Sequence, residues 1–202
     1  MRTSVRGSWK PLGVRVRRWK EFLGIAIWLT LVLAGLACRS GSTAIGEGKP
    51  TLALTSSSFQ GGGEIPKKFT CDGGDASPEL VWSAPPVSTQ SFALTVVDPD
   101  APLGSFVHWL LYNLPAGKRE LAEALPKQGE LPDGSLQGEN DFDKTGYGGP
   151  CPPGKSPHRY VFTLYALDSK LSLPAGATRK QVENAMQGHV LARGTLIGLY
   201  HR

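Results

Sequence analysis

Two segments far apart in the chain carry the side chains best suited to chemistry. Asp98-Pro-Asp-Ala-Pro leads into Phe106-Val-His-Trp, and Gly149-Pro-Cys-Pro-Pro leads into His158-Arg-Tyr. Each sets a histidine, His108 or His158, beside proline-stiffened backbone and an extended apolar run. Imidazole changes charge near neutral pH, so two such rings can hold an anion, relay protons or ligate a metal. Proline fixes φ and removes an amide donor, which makes DPDAP and GPCPP poor material for a helix or a central strand. They suit rigid walls around a small cavity, and the residue types point to a binding site.

The elements that must position these walls are mostly strands. Phe92–Val97 and Phe106–Leu111 are short runs of β-branched, aromatic and aliphatic residues. Arg159–Asp168 is apolar on both alternating faces, as a buried central strand is. The Gly/Pro/Asp-rich stretch Lys127–Pro157 is too irregular for hairpin turns and reads as a long functional loop. One helix is expected late in the chain. Thr178 is its N-cap, with Gln181 three residues on as a capping box. Val182, Ala185, Met186, His189 and Val190 form its apolar stripe, and Gly194 ends it. Leu196–Tyr200 follows as a closing strand. The pattern is that of a mainly β domain, a sandwich, with one late helix.

Charge has to be divided before it is interpreted. The 202 residues hold 22 Lys/Arg and 17 Asp/Glu, for a net +5. Residues 1–38 take seven of the bases and one acid, leaving 15 bases against 16 acids in residues 39–202. The basic balance therefore belongs to the leader, and a nucleic-acid partner loses its support. Within that leader a basic segment to Lys20 precedes an apolar stretch, Phe22–Ala37, of 16 residues. This is shorter than the roughly 20 residues of a spanning helix and suits a signal-peptide core. The order Ala34-Gly35-Leu36-Ala37-Cys38 resembles a lipoprotein cleavage site, making Cys38 a candidate for lipidation. A signal peptide or membrane anchor over 1–38, lipidated, uncleaved or simply removed, implies export in each case, with a tethered domain held at the cell envelope, in the periplasm or outside the cell. Residues 39–50 read as a flexible tether and 51–202 as the domain. Two cysteines remain in that domain, Cys71 and Cys151. In an oxidising compartment they either pair as a disulfide or stand as two half-buried thiols.

Taken together, the segments resemble the phosphatidylethanolamine-binding protein family, also called Raf-kinase-inhibitor-like, in its bacterial branch. The likeness runs from about Leu52 to Arg202. Its motifs are Cys71-Asp72-Gly73, Ser77-Pro78-Glu79-Leu80 with Trp82, Asp98 to Pro102, His108-Trp109 with Tyr112 to Pro115, Asn140-Asp141-Phe142, Gly146-Tyr147, Gly149 to Pro153 and His158-Arg159-Tyr160. The resemblance implies a β-sandwich with a central antiparallel sheet and a late C-terminal helix. It also implies a small anion-accepting pocket built from Asp98, Pro102, His108, the Gly149–Pro153 loop with Gly149 and Pro150, His158 and Tyr160. The ligand so implied is a phosphoethanolamine or phospholipid head group, or a phosphorylated partner, with no cofactor; no metal is expected, since a zinc site needs more ligands at closer spacing.

Physical chemistry makes such a site workable in a particular way. Phosphate needs donors and positive charge, whereas Asp98 and Asp100 supply the reverse. A carboxylate still serves by orienting a histidine, or by accepting from an ammonium group or a protonated phosphate oxygen. Backbone amides of the Gly-rich loop are expected to add fixed donors. Protonation of the two histidines is expected to tighten anion binding between about pH 8 and 6. Arg159 either reaches a ligand or pairs with Asp98 or Asp100. His189 reads as a packed helix residue, and Trp82 and Trp109 as core or pocket wall. A protein-interaction or inhibitor module acting on an envelope kinase, protease or other enzyme is the alternative. Catalysis finds less support: the chain has neither His-Glu-x-x-His nor Gly-x-Ser-x-Gly.

Overall fold

The computed structural model describes residues 51–202. The leader over 1–38, with Cys38, and the tether over 39–50 lie outside the described residues. In chain order the strands are β1 (Leu54–Thr55), β2 (Leu80–Trp82), β3 (Ser91–Asp98), β4 (Phe106–Pro115) and β5 (Glu120–Leu121). They continue as β6 (Leu136–Gln137), β7 (Glu139–Asn140), β8 (Lys144–Thr145) and β9 (His158–Leu167), then α1 (Arg179–Met186) and β10 (Val190–Tyr200). A short 3-10 turn spans Lys67–Phe69.

The central sheet has five strands in the order β10-β9-β3-β4-β6, and every pairing in it is antiparallel. A smaller sheet, β1-β2-β5, packs over it. The shared core contains Leu54, Leu80, Trp82 and Leu121 from the small sheet with Phe92, Leu94, Trp109, Phe162 and Leu164 from the large one. Two apolar faces buried against each other make the sandwich. Burial of β9 is heaviest on alternate residues: Tyr160, Phe162, Leu164 and Ala166 are fully buried, while Val161, Thr163 and Tyr165 on the other face are half-buried.

The helix is shorter than its apolar periodicity suggests. Thr178 N–H donates to Gln181 Oε1 at 2.9 Å, so the capping box forms its start. Val182 and Met186 pack on a second cluster with Ala93, Tyr112 and Leu167. The helix ends at Met186, and Gly188 turns the chain at φ +83°. Val190 then pairs with Leu167, and Gly194 lies inside β10 rather than at a helix end. The reason is tertiary: the edge of β9 offers a full row of partners, and pairing with it outweighs one more helical turn. His189 therefore leaves the helix and its Nδ1 meets Asp168 Oδ1 at 2.8 Å on the surface. The irregular stretch from Lys127 to Pro157 carries three two-residue strands, β6, β7 and β8, which tie it to the central sheet and to itself.

Candidate functional site

One end of the central sheet gathers both histidine segments. Asp98 is the last residue of β3 and pairs with Phe106, the first of β4. His158 opens β9, and Val97 of β3 pairs with Val161 of β9. The neighbouring pairs of β3 reveal how His108 is aimed. Consecutive Val96 and Val97 face Trp109 and Val107, so His108 is the extra residue of a β-bulge. Such bulges re-aim a side chain out of simple alternation.

Both imidazoles are tied through the same ring nitrogen. His158 Nδ1–H donates to Asp98 Oδ2 at 2.8 Å, and both side chains are buried. The other oxygen of Asp98 accepts the Asp100 N–H at 2.8 Å. His108 Nδ1–H donates to the Gly148 carbonyl at 2.8 Å. A carbonyl oxygen only accepts, so this bond assigns the hydrogen to Nδ1 and leaves Nε2 with a lone pair in the neutral ring. The His108 ring is boxed by Phe106, Phe142 and Tyr160, whose centroids lie 5.2, 5.3 and 5.0 Å away. Burial therefore holds its pKa below the ordinary histidine value, against the opposing pull of the Gly148 hydrogen bond and the Asp98 charge.

Tyr160 completes the inner wall. Burial, with the nearby Asp98 charge, raises its pKa well above the ordinary phenol value, so the hydroxyl keeps its hydrogen. The Cys151 backbone and the Asp98 carboxylate lie near that hydroxyl, yet it stands buried without a hydrogen-bond partner among the described residues. Arg159, on the opposite face of β9, is occupied elsewhere. Its Nε and Nη2 donate to Asp100 Oδ2 and Oδ1 at 2.9 and 2.7 Å. These bonds hold the Asp100 pKa down to about 2.

The cavity enclosed by these groups has a volume of about 520 Å³. Asp98, Pro102, His108, His158 and Tyr160 all line it, together with Ala101, Leu103, Gly104, Ser105, Phe106, Asp141, Phe142, Cys151, Pro152 and Pro153. No lysine or arginine is among them. Gly149 and Pro150 are buried behind this wall, and the loop reaches the cavity through Cys151–Pro153. The loop glycines are not free donors: Gly148 N–H donates to the His108 carbonyl at 2.8 Å and Gly149 N–H to Asp75 Oδ1 at 2.6 Å. Sequence alone does not assign the aromatic box of Phe106 and Phe142, or the carboxylate of Asp141, to the site. The Phe106 signal was present, since it precedes His108 by two residues in a strand.

A disulfide joins Cys71 to Cys151, with the Cα atoms 5.4 Å apart and a sequence separation of 80. It fastens the pocket-lining Cys151 to the turn that follows the 3-10 segment. Tyr147 adds a second tie, donating its hydroxyl hydrogen to the Phe69 carbonyl at 2.8 Å.

A family model described as phosphatidylethanolamine-binding protein matches residues 55–201. A UPF0098 protein of Aquifex aeolicus is 50% identical over 157 residues, covering 77% of this chain and 91% of that one. The UPF0098 protein PH1269 of Pyrococcus horikoshii is 46% identical over 177 residues, 86% of each chain. Among solved structures, the homologue CT736 from Chlamydia trachomatis superposes with a TM-score of 0.69 at 39% identity, covering 75% of this chain and 98% of that one. YbcL of E. coli, whose structure is described as a member of the mammalian PEBP family, gives 0.70 at 33% identity with the same coverage.

Proposed function

The chain belongs to the phosphatidylethanolamine-binding protein family, and we propose that its pocket binds a small phosphate-bearing ligand, either a phosphoethanolamine-type head group or a phosphorylated partner. One observation carries this reading: Asp98, His108, His158 and Tyr160, from three different strands, line a single cavity of about 520 Å³. The cavity is boxed by aromatic rings and its carboxylates are Asp98 and Asp141, with no lysine or arginine among the described residues of its wall. That balance favours a ligand bringing its own hydrogen-bond donors, such as an ammonium group beside the phosphate, over a bare dianion.

The reading is of a binding site without turnover. Phosphorus NMR titration of the full chain with phosphoethanolamine tests it, beside His108→Ala and His158→Ala. Binding by the unaltered chain that is lost in both variants supports the pocket. No binding by the unaltered chain overturns it. Release of inorganic phosphate during the titration would instead mark an enzyme.

One observation favours a second reading, a protein partner docked at the pocket mouth: Leu103 stands fully exposed on its lip. Isolated exposed leucines are ordinary, so this carries less weight. An exported, membrane-tethered protein belongs to the same proposal. It is supported by the basic-then-apolar leader ending at Cys38, and intact mass of the mature protein checks it.

A further inference from the structure

Behind the pocket, two hydrogen bonds meet on one peptide unit. The Gly148 carbonyl accepts from His108 Nδ1–H at 2.8 Å, and the amide of that same peptide, Gly149 N–H, donates to Asp75 Oδ1 at 2.6 Å. The other Asp75 oxygen is paired with Lys127 Nζ. Asp75 does not line the ligand cavity; it lines a neighbouring one with Lys127 and Gly149, of about 550 Å³. The chain of contacts thus runs from an exposed ion pair, through a peptide bond, to a buried imidazole in the pocket.

Both glycines are needed for this geometry. A Cβ on Gly149 would stand 2.6 Å from the Phe69 carbonyl oxygen and 2.9 Å from Asp75 Oδ1. One on Gly148 would stand 2.6 Å from the Phe142 ring. Asp75 itself sits at φ +51°, a conformation uncommon for a non-glycine residue. Accepting from the amide draws charge along the peptide toward its carbonyl oxygen, so the two bonds strengthen each other. The stronger acceptor in turn fixes the hydrogen of His108 on Nδ1 and keeps Nε2 turned to the ligand.

We propose that Asp75 is a positioning residue for the pocket, orienting His108 through the Gly148–Gly149 peptide. The proposal rests on the pocket reading above for its bearing on ligand affinity, but not for its effect on the ring. Around His108 the titratable groups are Asp98 on β3, Asp141 after β7, and His158 and Tyr160 on β9. Each of these lies on the pocket side, so Asp75 is the one reached through the peptide. The Gly148 hydrogen bond raises the His108 pKa, and Asp75 holds that carbonyl in place; releasing it lowers the titration midpoint of the ring.

The test is nitrogen-15 NMR of the histidine-labelled full chain in detergent, with the four imidazoles assigned by substitution. In the unaltered chain neutral His108 is expected as the Nδ1–H tautomer. Asp75→Ala should give mixed tautomers and a midpoint lower by about half a pH unit, with His158 unchanged. Phosphoethanolamine affinity should fall about tenfold. Asp75→Asn retains an acceptor oxygen, so it should restore both the tautomer and the midpoint. If Asp75→Ala does not fold, Asp75→Ser, whose side chain is one bond shorter, takes its place: an unchanged tautomer and midpoint there overturn the proposal. An unchanged tautomer and midpoint in a folded Asp75→Ala protein also overturn it. Failure of phosphoethanolamine to bind the unaltered chain overturns the pocket reading instead, and leaves the tautomer result standing.

Discussion

His158 and Asp98 form a buried pair that joins the first residue of β9 to the last residue of β3, with Nδ1 and Oδ2 2.8 Å apart. The bond closes the end of the sheet where the pocket opens. Their side chains are 10% and 5% exposed, so neither partner can turn to water when the other is lost. Truncation of one member of such a pair typically costs about 3–5 kcal/mol. Asp98→Ala is therefore expected to destabilise the fold by that order in urea denaturation and to abolish ligand binding. Asp98→Asn, which retains an acceptor for His158, should cost distinctly less; equal losses would show that the pair does not act through this bond.

The pH response should be displaced from the simple histidine expectation. Because burial lowers the His108 pKa in the folded chain, the unfolded chain binds this proton more readily. Stability from neutral His108 is present above about pH 6.5 and is lost as pH falls below it toward the folded value. Phosphate affinity from a charged His108 is gained only over that same lower range. Thermal unfolding between pH 8 and 5 should show a falling midpoint, flattened in His108→Gln. A midpoint indifferent to this substitution would deny His108 that role.

The Cys71–Cys151 bridge should matter to stability and to the pocket together. Closing a loop of this length contributes about 4 kcal/mol in the chain-entropy account. Double replacement by serine is expected to lower stability by that order and to weaken phosphoethanolamine binding, since Cys151 is in the wall. Calorimetry of the oxidised protein and the double variant measures the first, and titration the second. Loss of stability with unchanged affinity would confine the bridge to a structural role.

Arg159 is expected to contribute little to ligand binding, despite its place beside His158. Its guanidinium is clamped to Asp100, and it projects from the face of β9 opposite Tyr160. Arg159→Ala should change phosphate affinity by less than about threefold, the range of a surface ion pair. A larger drop would mean that the clamp opens when ligand arrives.

Leu103 separates the two readings of the pocket mouth. Being fully exposed, Leu103→Ser should leave stability within about 0.5 kcal/mol. Leu103 lines the cavity only at its exposed rim, so small-ligand affinity should fall only slightly, while docking of a protein partner at this lip should weaken strongly. Loss of phosphoethanolamine binding would make Leu103 a main ligand contact and deny the separation of the two readings.

Much of this architecture was legible in the residues. Apolar runs mark β3, β4 and β9; Thr178 with Gln181 marks the start of α1; and the two histidine segments, far apart in sequence, have the composition of rigid cavity walls. What local periodicity missed has physical causes. The stripe through His189 and Val190 is compatible with a helix, but the open edge of β9 claimed Val190 for β10. His108 was readable as a strand residue, not as the bulge between Val107 and Trp109, because a bulge depends on the register of the partner strand.

Residue type and order alone thus determined a mainly β sandwich and a pair of proline-stiffened, histidine-bearing walls, because side-chain volume, polarity and proline geometry are local properties. The tertiary structure decided what each polar atom does. It placed Nδ1 of His108 on Gly148 and Nδ1 of His158 on Asp98, gave Arg159 to Asp100, and put Gly149 behind the wall with its amide on Asp75. Hydrogen bonds form between groups tens of residues apart, and their geometry exists only once the strands have chosen their register.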